Sequence, residues 1–216
     1  MLRTKAICAA IACAALTGAT ASAATISDTA SFTYPLTNST HGVTLQQFDS
    51  SLGTLTDVAL TFNTTIMADL SLENDSIATA SIIAWLMAQF EIAVPSNGTS
   101  TISFNEMYNA TLDPTDGVAG SGSDYAVFED ISKSSGIQDI SPVDFTPFIG
   151  LGTININMTD QVGFGAFGAS EATLKYVDLM AQGAVNVTYT YTAPVPEPAS
   201  LALMGLGGLL VLRRRK

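Results

Sequence analysis

A two-residue hydrophobic period, carried by four separate stretches, constrains this chain more than any other feature. Gly183 to Thr192 (G-A-V-N-V-T-Y-T-Y-T) puts Val185, Val187, Tyr189 and Tyr191 on one face and Asn186, Thr188 and Thr190 on the other. Gly152 to Met158 repeats the pattern with Ile154, Ile156 and Met158, Leu55 to Phe62 with Val58, Leu60 and Phe62, and Ile66 to Leu72 with Ile66, Ala68, Leu70 and Leu72. Successive strand side chains point to opposite faces, so each stretch has one buried and one wet face, as in an antiparallel sheet. Abundant Thr, Ser, Val and Ile, broken often by Gly and Asn, also favour strands. The expected fold is all-β, an antiparallel β-sandwich.

Two segments read less cleanly. In Ile77 to Val94, the residues Ile82, Ile83, Leu86 and Phe90 fit a helical stripe, while Phe90, Ile92 and Val94 fit a strand. Thr79 and Ser81 weaken the helix, and the strand reading is preferred. Glu171 to Gln182 is expected to form one short helix, capped by Ser170, with Leu174, Val177 and Met180 inward.

The two ends are addresses. Arg3 and Lys5 precede the small, apolar run Ala6 to Leu16, and Ala21-Ser22-Ala23 offers small residues where a signal peptidase reads. Residues 1–23 thus read as a secretory signal peptide cut between Ala23 and Ala24. Both cysteines, Cys8 and Cys13, lie inside it, so the mature chain is expected to have no disulfide and no thiolate chemistry. At the other end, Ala199 to Leu212 is apolar for fourteen residues and is followed by Arg213, Arg214, Arg215 and Lys216. As a single hydrophobic helix it would span about 21 Å at ~1.5 Å per residue, short of the roughly twenty residues a comfortable membrane crossing needs. The four cations would stay on the cytoplasmic side as a stop-transfer cluster. Pro194, Pro196 and Pro198 hold the preceding segment extended and leave Glu197 accessible.

This tail, Val195 to Lys216, resembles a PEP-CTERM sorting signal. Pro196, Glu197 and Pro198 match its triplet, Ala199 to Leu212 its membrane segment, and Arg213 to Lys216 its basic end. The resemblance implies a Gram-negative host that makes exopolysaccharide. It also implies exosortase, an integral-membrane cysteine protease-transpeptidase, as a partner that cuts near the triplet after a transient stay in the inner membrane.

Between the signals lies Ala24 to Pro194, 171 residues, read as one extracellular domain. Only Lys133 and Lys175 of the eight bases fall within it, against eighteen of the nineteen acids, a net charge of −16. Phosphate binding relies on Lys and Arg, so nucleic acid is excluded as a partner. Gln47 to Leu55 (Q-F-D-S-S-L-G-T-L) and the closing V-x-V-x-Y-x-Y strand bracket this domain. Together they resemble the choice-of-anchor E domain family, which implies an extracellular β-rich module with no assigned enzymatic activity and no known site residues.

Catalytic signatures are sparse. His41, the single histidine, sits in N-S-T-H-G-V and reads as an exposed turn residue. With one His and no mature Cys, His-rich zinc sites are out and any nucleophile–His dyad depends on His41. No Gly-x-Ser-x-Gly elbow or Walker A motif occurs in the domain. Glu91, within an apolar strand, reads as facing outward rather than as a perturbed catalytic acid. Asp113 to Asp130 carries five carboxylates around a Gly/Ser loop, and Asp113, Asp116 and Asp124 are candidate calcium ligands, since calcium favours hard oxygens on flexible loops. Trp85, Tyr108 and Tyr125 are candidates for stacking on sugars. Seven Asn-x-Ser/Thr sequons, among them Asn63, Asn97, Asn109 and Asn186, follow from the abundance of Asn and Thr.

The expectation is therefore a secreted, exosortase-processed, non-enzymatic structural or adhesive protein of the cell surface or exopolysaccharide matrix. Its partners would be signal peptidase, exosortase and then polysaccharide or matrix proteins. The alternatives are a carbohydrate-active enzyme working through paired carboxylates and a calcium-dependent carbohydrate-binding module.

Overall fold

The computed structural model describes residues 22–96 and 98–194. Eight strands follow one another: β1 (Ala23–Pro35), β2 (Thr40–Gln46), β3 (Thr54–Asn74), β4 (Ala80–Val94), β5 (Gly98–Leu112), β6 (Tyr125–Ile140), β7 (Thr153–Phe167) and β8 (Ala172–Thr192). Helical structure among the described residues is confined to two single turns, Ser50–Leu52 and Thr146–Phe148. The hydrophobic segment 199–212 lies outside the described residues.

The strands form two four-stranded sheets, in the orders β1-β8-β3-β6 and β2-β7-β4-β5, with every neighbouring pair antiparallel. At the open sides β1 lies against β2 and β5 against β6. Four consecutive pairs that split between two sheets in this order make a jelly roll, the double Greek-key form of the β-sandwich. Lys133 of β6 reaches Glu106 of β5 at 3.0 Å, linking the sheets along one side.

The expected alternation builds the core. Val58, Leu60, Phe62 and Ile66 of β3, Ile154, Ile156 and Met158 of β7, and Val185, Val187 and Tyr189 of β8 all point into the sandwich. They meet Leu86, Phe90 and Ile92 of β4. The Ile77 to Val94 ambiguity resolves in favour of the strand: Ile82, Ala84, Leu86, Ala88, Phe90, Ile92 and Val94 are all buried, an unbroken two-residue period. A smaller cluster of Leu70, Leu72, Ile82, Ala84, Leu112 and Ile131 fills one end. Each such fully buried aliphatic or aromatic side chain contributes about 1.5–3 kcal/mol.

Three local expectations are corrected. The stretches Leu55 to Phe62 and Ile66 to Leu72 are one strand, β3, running without a turn through Asn63-Thr64-Thr65. Thr64 holds the inward phase at 2% exposure, and the Thr64 N–H donates to Ser135 Oγ at 3.1 Å. The helix expected at Glu171 to Gln182 is strand instead, most of it the first half of β8. The expected inward stripe of Leu174, Val177 and Met180 is not kept, since Val177 is 39% exposed: a β-bulge shifts the register with β3 between Met67 and Asp69, and Asp178 takes φ 53°. The bulge inserts one residue, so Leu174 and Tyr176 turn inward before it and Leu179 and Ala181 after it. His41 is not in a loop but near the start of β2, paired with Met158 of β7.

Candidate functional site

The ends of the domain meet. Ala23 pairs with Thr192, and the Ala193 N–H reaches the Ser22 carbonyl at 3.4 Å. The expected signal-peptidase cut between Ala23 and Ala24 therefore falls at the first residue of β1, and removing Ala23 costs the β1–β8 ladder only its terminal step. Ala21 and the sorting residues Pro196, Glu197, Pro198, Arg213, Arg214, Arg215 and Lys216 lie outside the described residues.

Against this same end packs Gln47 to Leu55. Asp49 caps the turn Ser50–Leu52, its Oδ1 accepting the Ser51 N–H at 2.8 Å, which holds the Asp49 carboxyl below the usual range. Gly53 follows at φ 147°, its Cα so close to the Thr192 carbonyl that a Cβ would collide with it. Phe48 is buried against Tyr189 and Tyr191, with ring centroids 5.8 and 5.2 Å away. The two segments that bracket the sequence are thus one packed unit beside the exit of the chain at Pro194.

The outer face of the β2-β7-β4-β5 sheet carries an apolar surface around Trp85. Odd-numbered β4 residues point outward: Ile83, Trp85, Met87, Gln89 and Glu91. Glu91 lies between Thr101 of β5 and Thr159 of β7, as its outward reading requires. Trp85 is flanked by Met107 on β5 and Gly165 on β7, and Met87 by Asn105 and Gly163. The two glycines make room for the indole to lie across β7: a Cβ on Gly165 would stand 2.8–2.9 Å from Trp85 Cζ2, Cε2 and Nε1. Met87 and Met107 remain 53% and 73% exposed. An open groove of about 350 Å³ runs beside the indole, with Gln89, Ser103, Asn105 and Gln161 along it. Polar amides thus rim an aromatic and thioether floor.

The other stacking candidates do not join it. Tyr108 faces inward, 5.4 Å from the Phe128 ring, its hydroxyl buried without a hydrogen-bond partner among the described residues and its pKa raised chiefly by that burial. Tyr125 is half-buried at the start of β6, paired with Glu73.

The acidic loop 113–124 joins β5 to β6 at the far end from Pro194. Its expected carboxylates do not all converge: among the described residues, no three His, Cys, Asp or Glu side chains assemble to hold a metal. Asp113 is exposed and serves through its backbone, its N–H donating to the Ser123 carbonyl at 3.2 Å and its carbonyl accepting from Asn74 Nδ2 at 2.7 Å. Asp124 is fully buried, and its Oδ2 accepts the Asp116 N–H at 2.9 Å. Two of the sequons serve as structure: Asn63 Oδ1 accepts the Ala184 N–H at 2.7 Å, and Asn186 Nδ2 donates to Thr29 Oγ1 at 2.6 Å.

A constellation that pattern reading missed gathers Ser39, His41 and Asp160. Ser39 Oγ lies 2.8 Å from His41 Nε2 and 3.3 Å from Asp160 Oδ1, and Nε2 is 3.7 Å from that oxygen. The imidazole stacks on Tyr34 at 3.7 Å between centroids, and burial with the nearby Asp160 charge pushes the Tyr34 hydroxyl up to about 12. A catalytic triad uses the two imidazole nitrogens on opposite partners, whereas here the serine and the aspartate share Nε2. The carboxylate is already occupied: Asp160, 1% exposed, accepts the N–H groups of Thr37, Asn38 and Ser39 at 3.0, 2.7 and 3.2 Å. It braces the β1–β2 turn, in which Asn38 adopts φ 56°. Sequence distance hid the group, since Asp160 is more than a hundred residues away in β7.

A groove of about 320 Å³ on the outer face of the other sheet holds Asp69, Asp130 and Asp178. Asp130 and Asp178 both sit at bulges with positive φ, 54° and 53°, and Asp69 Oδ1 accepts the Asp130 N–H at 2.9 Å.

No curated protein matches this sequence. Among solved structures the chain is similar to that of the infectious bursal disease virus Gx strain (12% identity, TM-score 0.18) and to that of the Gt strain (10%, 0.15). It is also similar to the VP2 subviral particle of the same virus (11%, 0.17). These matches cover 96% of this chain but 53–54% of the other, so the chain spans about half the length of the structures it matches. Strand order, not this likeness, carries the fold assignment. Residues 194–216 match the PEP-CTERM protein-sorting motif, which supports an exosortase substrate exported to the cell surface or beyond it.

Proposed function

We propose that this protein is a non-enzymatic, adhesive or structural component of the cell surface or exopolysaccharide matrix. Signal peptidase and then exosortase process it, with the inner membrane as a transient station. It grips neutral polysaccharide through the outer face of the β2-β7-β4-β5 sheet. The observation that carries this reading is the Trp85 platform: a flat indole laid over Gly163 and Gly165, flanked by exposed methionines and rimmed by Gln89, Asn105 and Gln161. Sugar rings present apolar C–H faces that stack on an indole, while their hydroxyls need amide partners at the rim. The strongly acidic domain would repel a polyanion, which favours an uncharged glycan. The packed Gln47–Leu55 and β8 unit joins the two segments that carry the choice-of-anchor E likeness, which favours a module placed beside a C-terminal anchor.

Trp85 is the single tryptophan, so its fluorescence reports on this surface directly. Titrating the purified full chain with the host's exopolysaccharide should change that emission, and Trp85→Ala should lose retention on a column of the same polymer. Equal retention of Trp85→Ala would move the binding surface elsewhere. Release of new reducing ends from the polymer would instead favour a carbohydrate-active enzyme.

A further inference from the structure

We infer that the β5–β6 loop binds a divalent cation of the calcium type between the carboxylates of Asp116 and Asp124. The acidic composition of the loop would not suffice, because solvated acidic loops are common. The decisive observation is Asp124 itself. Its side chain is fully buried, Oδ2 accepts the Asp116 N–H, and Oδ1 has no hydrogen-bond partner among the described residues. A buried carboxylate oxygen left unpaired costs several kcal/mol unless it is neutralised or paired.

Oδ1 points toward a second carboxylate. It lies 2.7 Å from the position a Cβ would take on Gly122, and Asp116 Oδ2 lies 2.5 Å from the same point. Two like-charged oxygens thus converge over a glycine whose missing side chain, at φ 96°, leaves the space between them open. No lysine or arginine pairs with either; among the described residues the ion pairs are His41–Asp160 and Lys133–Glu106. The other oxygen of Asp116 is engaged by the Val118 N–H at 2.7 Å, which fixes the direction of its carboxylate. Oxygen donors from a bent loop, with room for water and main-chain carbonyls, suit calcium better than the strict octahedron of magnesium. The loop also joins the β5–β6 connection to the end of β3, where the Asn74 N–H donates to the Asp124 carbonyl at 2.9 Å. Cation binding here would tighten the end of the sandwich farthest from Pro194.

The test uses the purified full chain freed of metal by chelation. Calcium chloride, magnesium chloride or sodium chloride is added at matched ionic strength, and the thermal midpoint and titration calorimetry are read. Calcium alone should raise the midpoint and bind with a dissociation constant on the order of 10⁻⁴–10⁻³ M, the range of extracellular calcium modules. Asp116→Asn, at an exposed position, should leave the metal-free midpoint unchanged and weaken calcium at least ~10-fold, on the strength of losing one of two charged ligands. Asp124→Asn should abolish the calcium response while leaving the metal-free protein as stable or more stable, because it removes an unpaired buried charge. An equal midpoint shift in sodium or magnesium chloride, or unchanged calcium affinity in Asp116→Asn, would overturn the site.

Discussion

Replacing Asp160 with alanine should be among the most damaging single changes outside the apolar core. The carboxylate accepts three backbone N–H groups and the Ser39 hydroxyl from within a 1% exposed position. Hydrogen bonds to a charged acceptor contribute about 1.5–3 kcal/mol each, but these are not additive. Thr37 and Asn38 are exposed, so water takes over their N–H groups once the carboxylate is gone. An aspartate cap replaced by alanine loses about 0.5–2 kcal/mol, and the half-buried Ser39 N–H plus the vacated volume add to that. The expected loss is about 3 kcal/mol. For a chain of this size it corresponds to about 6–12 °C in thermal midpoint, at roughly 2–4 °C per kcal/mol. Urea and thermal unfolding of the full chain, followed by circular dichroism, would measure it. His41→Ala should cost no more than about 1.5 kcal/mol, the scale of its stacking on Tyr34. A loss below about 1 kcal/mol for Asp160→Ala would refute the bracing role. So would a loss for His41→Ala that equals it, because the histidine rather than the turn N–H groups would then hold the constellation.

Other expectations follow from particular contacts. Phe48→Ala empties the contact with Tyr189 and Tyr191 and should destabilise the fold by about 3–5 kcal/mol, read from denaturant midpoints. Tyr34, Tyr176 and Tyr189 all have pKa values raised to about 12, chiefly by burial. The unfolded chain loses those protons near pH 10 while the folded one keeps them, so the tyrosine contribution to stability should be constant below pH 10 and stability should fall between pH 10 and 12. Phenolate absorbance recorded alongside unfolding checks this, and all six tyrosines ionising together near pH 10 in the folded state would contradict it. Changing Pro196, Glu197 and Pro198 together to alanine should leave export intact but trap full-length protein in the inner membrane, detectable by fractionation.

The sandwich was legible because burial on one face of a strand writes itself into the chain as a two-residue period, clear in Val185-x-Val187-x-Tyr189. Where that period is interrupted, pattern reading fails for identifiable reasons. At Asp178 a bulge adds a residue and puts three positions between the inward Tyr176 and Leu179, so the stripe of Leu174, Val177 and Met180 read as a helical face instead mixes inward and outward positions. At Asn63-Thr64-Thr65 three polar residues imitate a turn, although Thr64 keeps the inward phase and the ladder simply bulges against β6. The jelly-roll order itself leaves no local trace, since pairing β1 with β8 joins residues about 160 positions apart. The functional surfaces divide the same way. Trp85 could be named as a stacking residue, but its exposure depends on glycines in β7 that only register brings beneath it. Asp116 and Asp124 were visible as part of an acidic loop. That Asp124 is buried, and that Asp113 turns away, depends on how Asn74 ties the loop to the end of β3.

An exported acidic jelly roll of this kind should have both ends removed or remodelled on the way out. Intact-mass and peptide mass spectrometry of the surface or extracellular form from its native host tests this most directly. The surface form should begin at Ala24 and lack Arg213 to Lys216. A surface form that retains Lys216, or a native pool confined to the cytosol with Met1 to Ala23 attached, would contradict it.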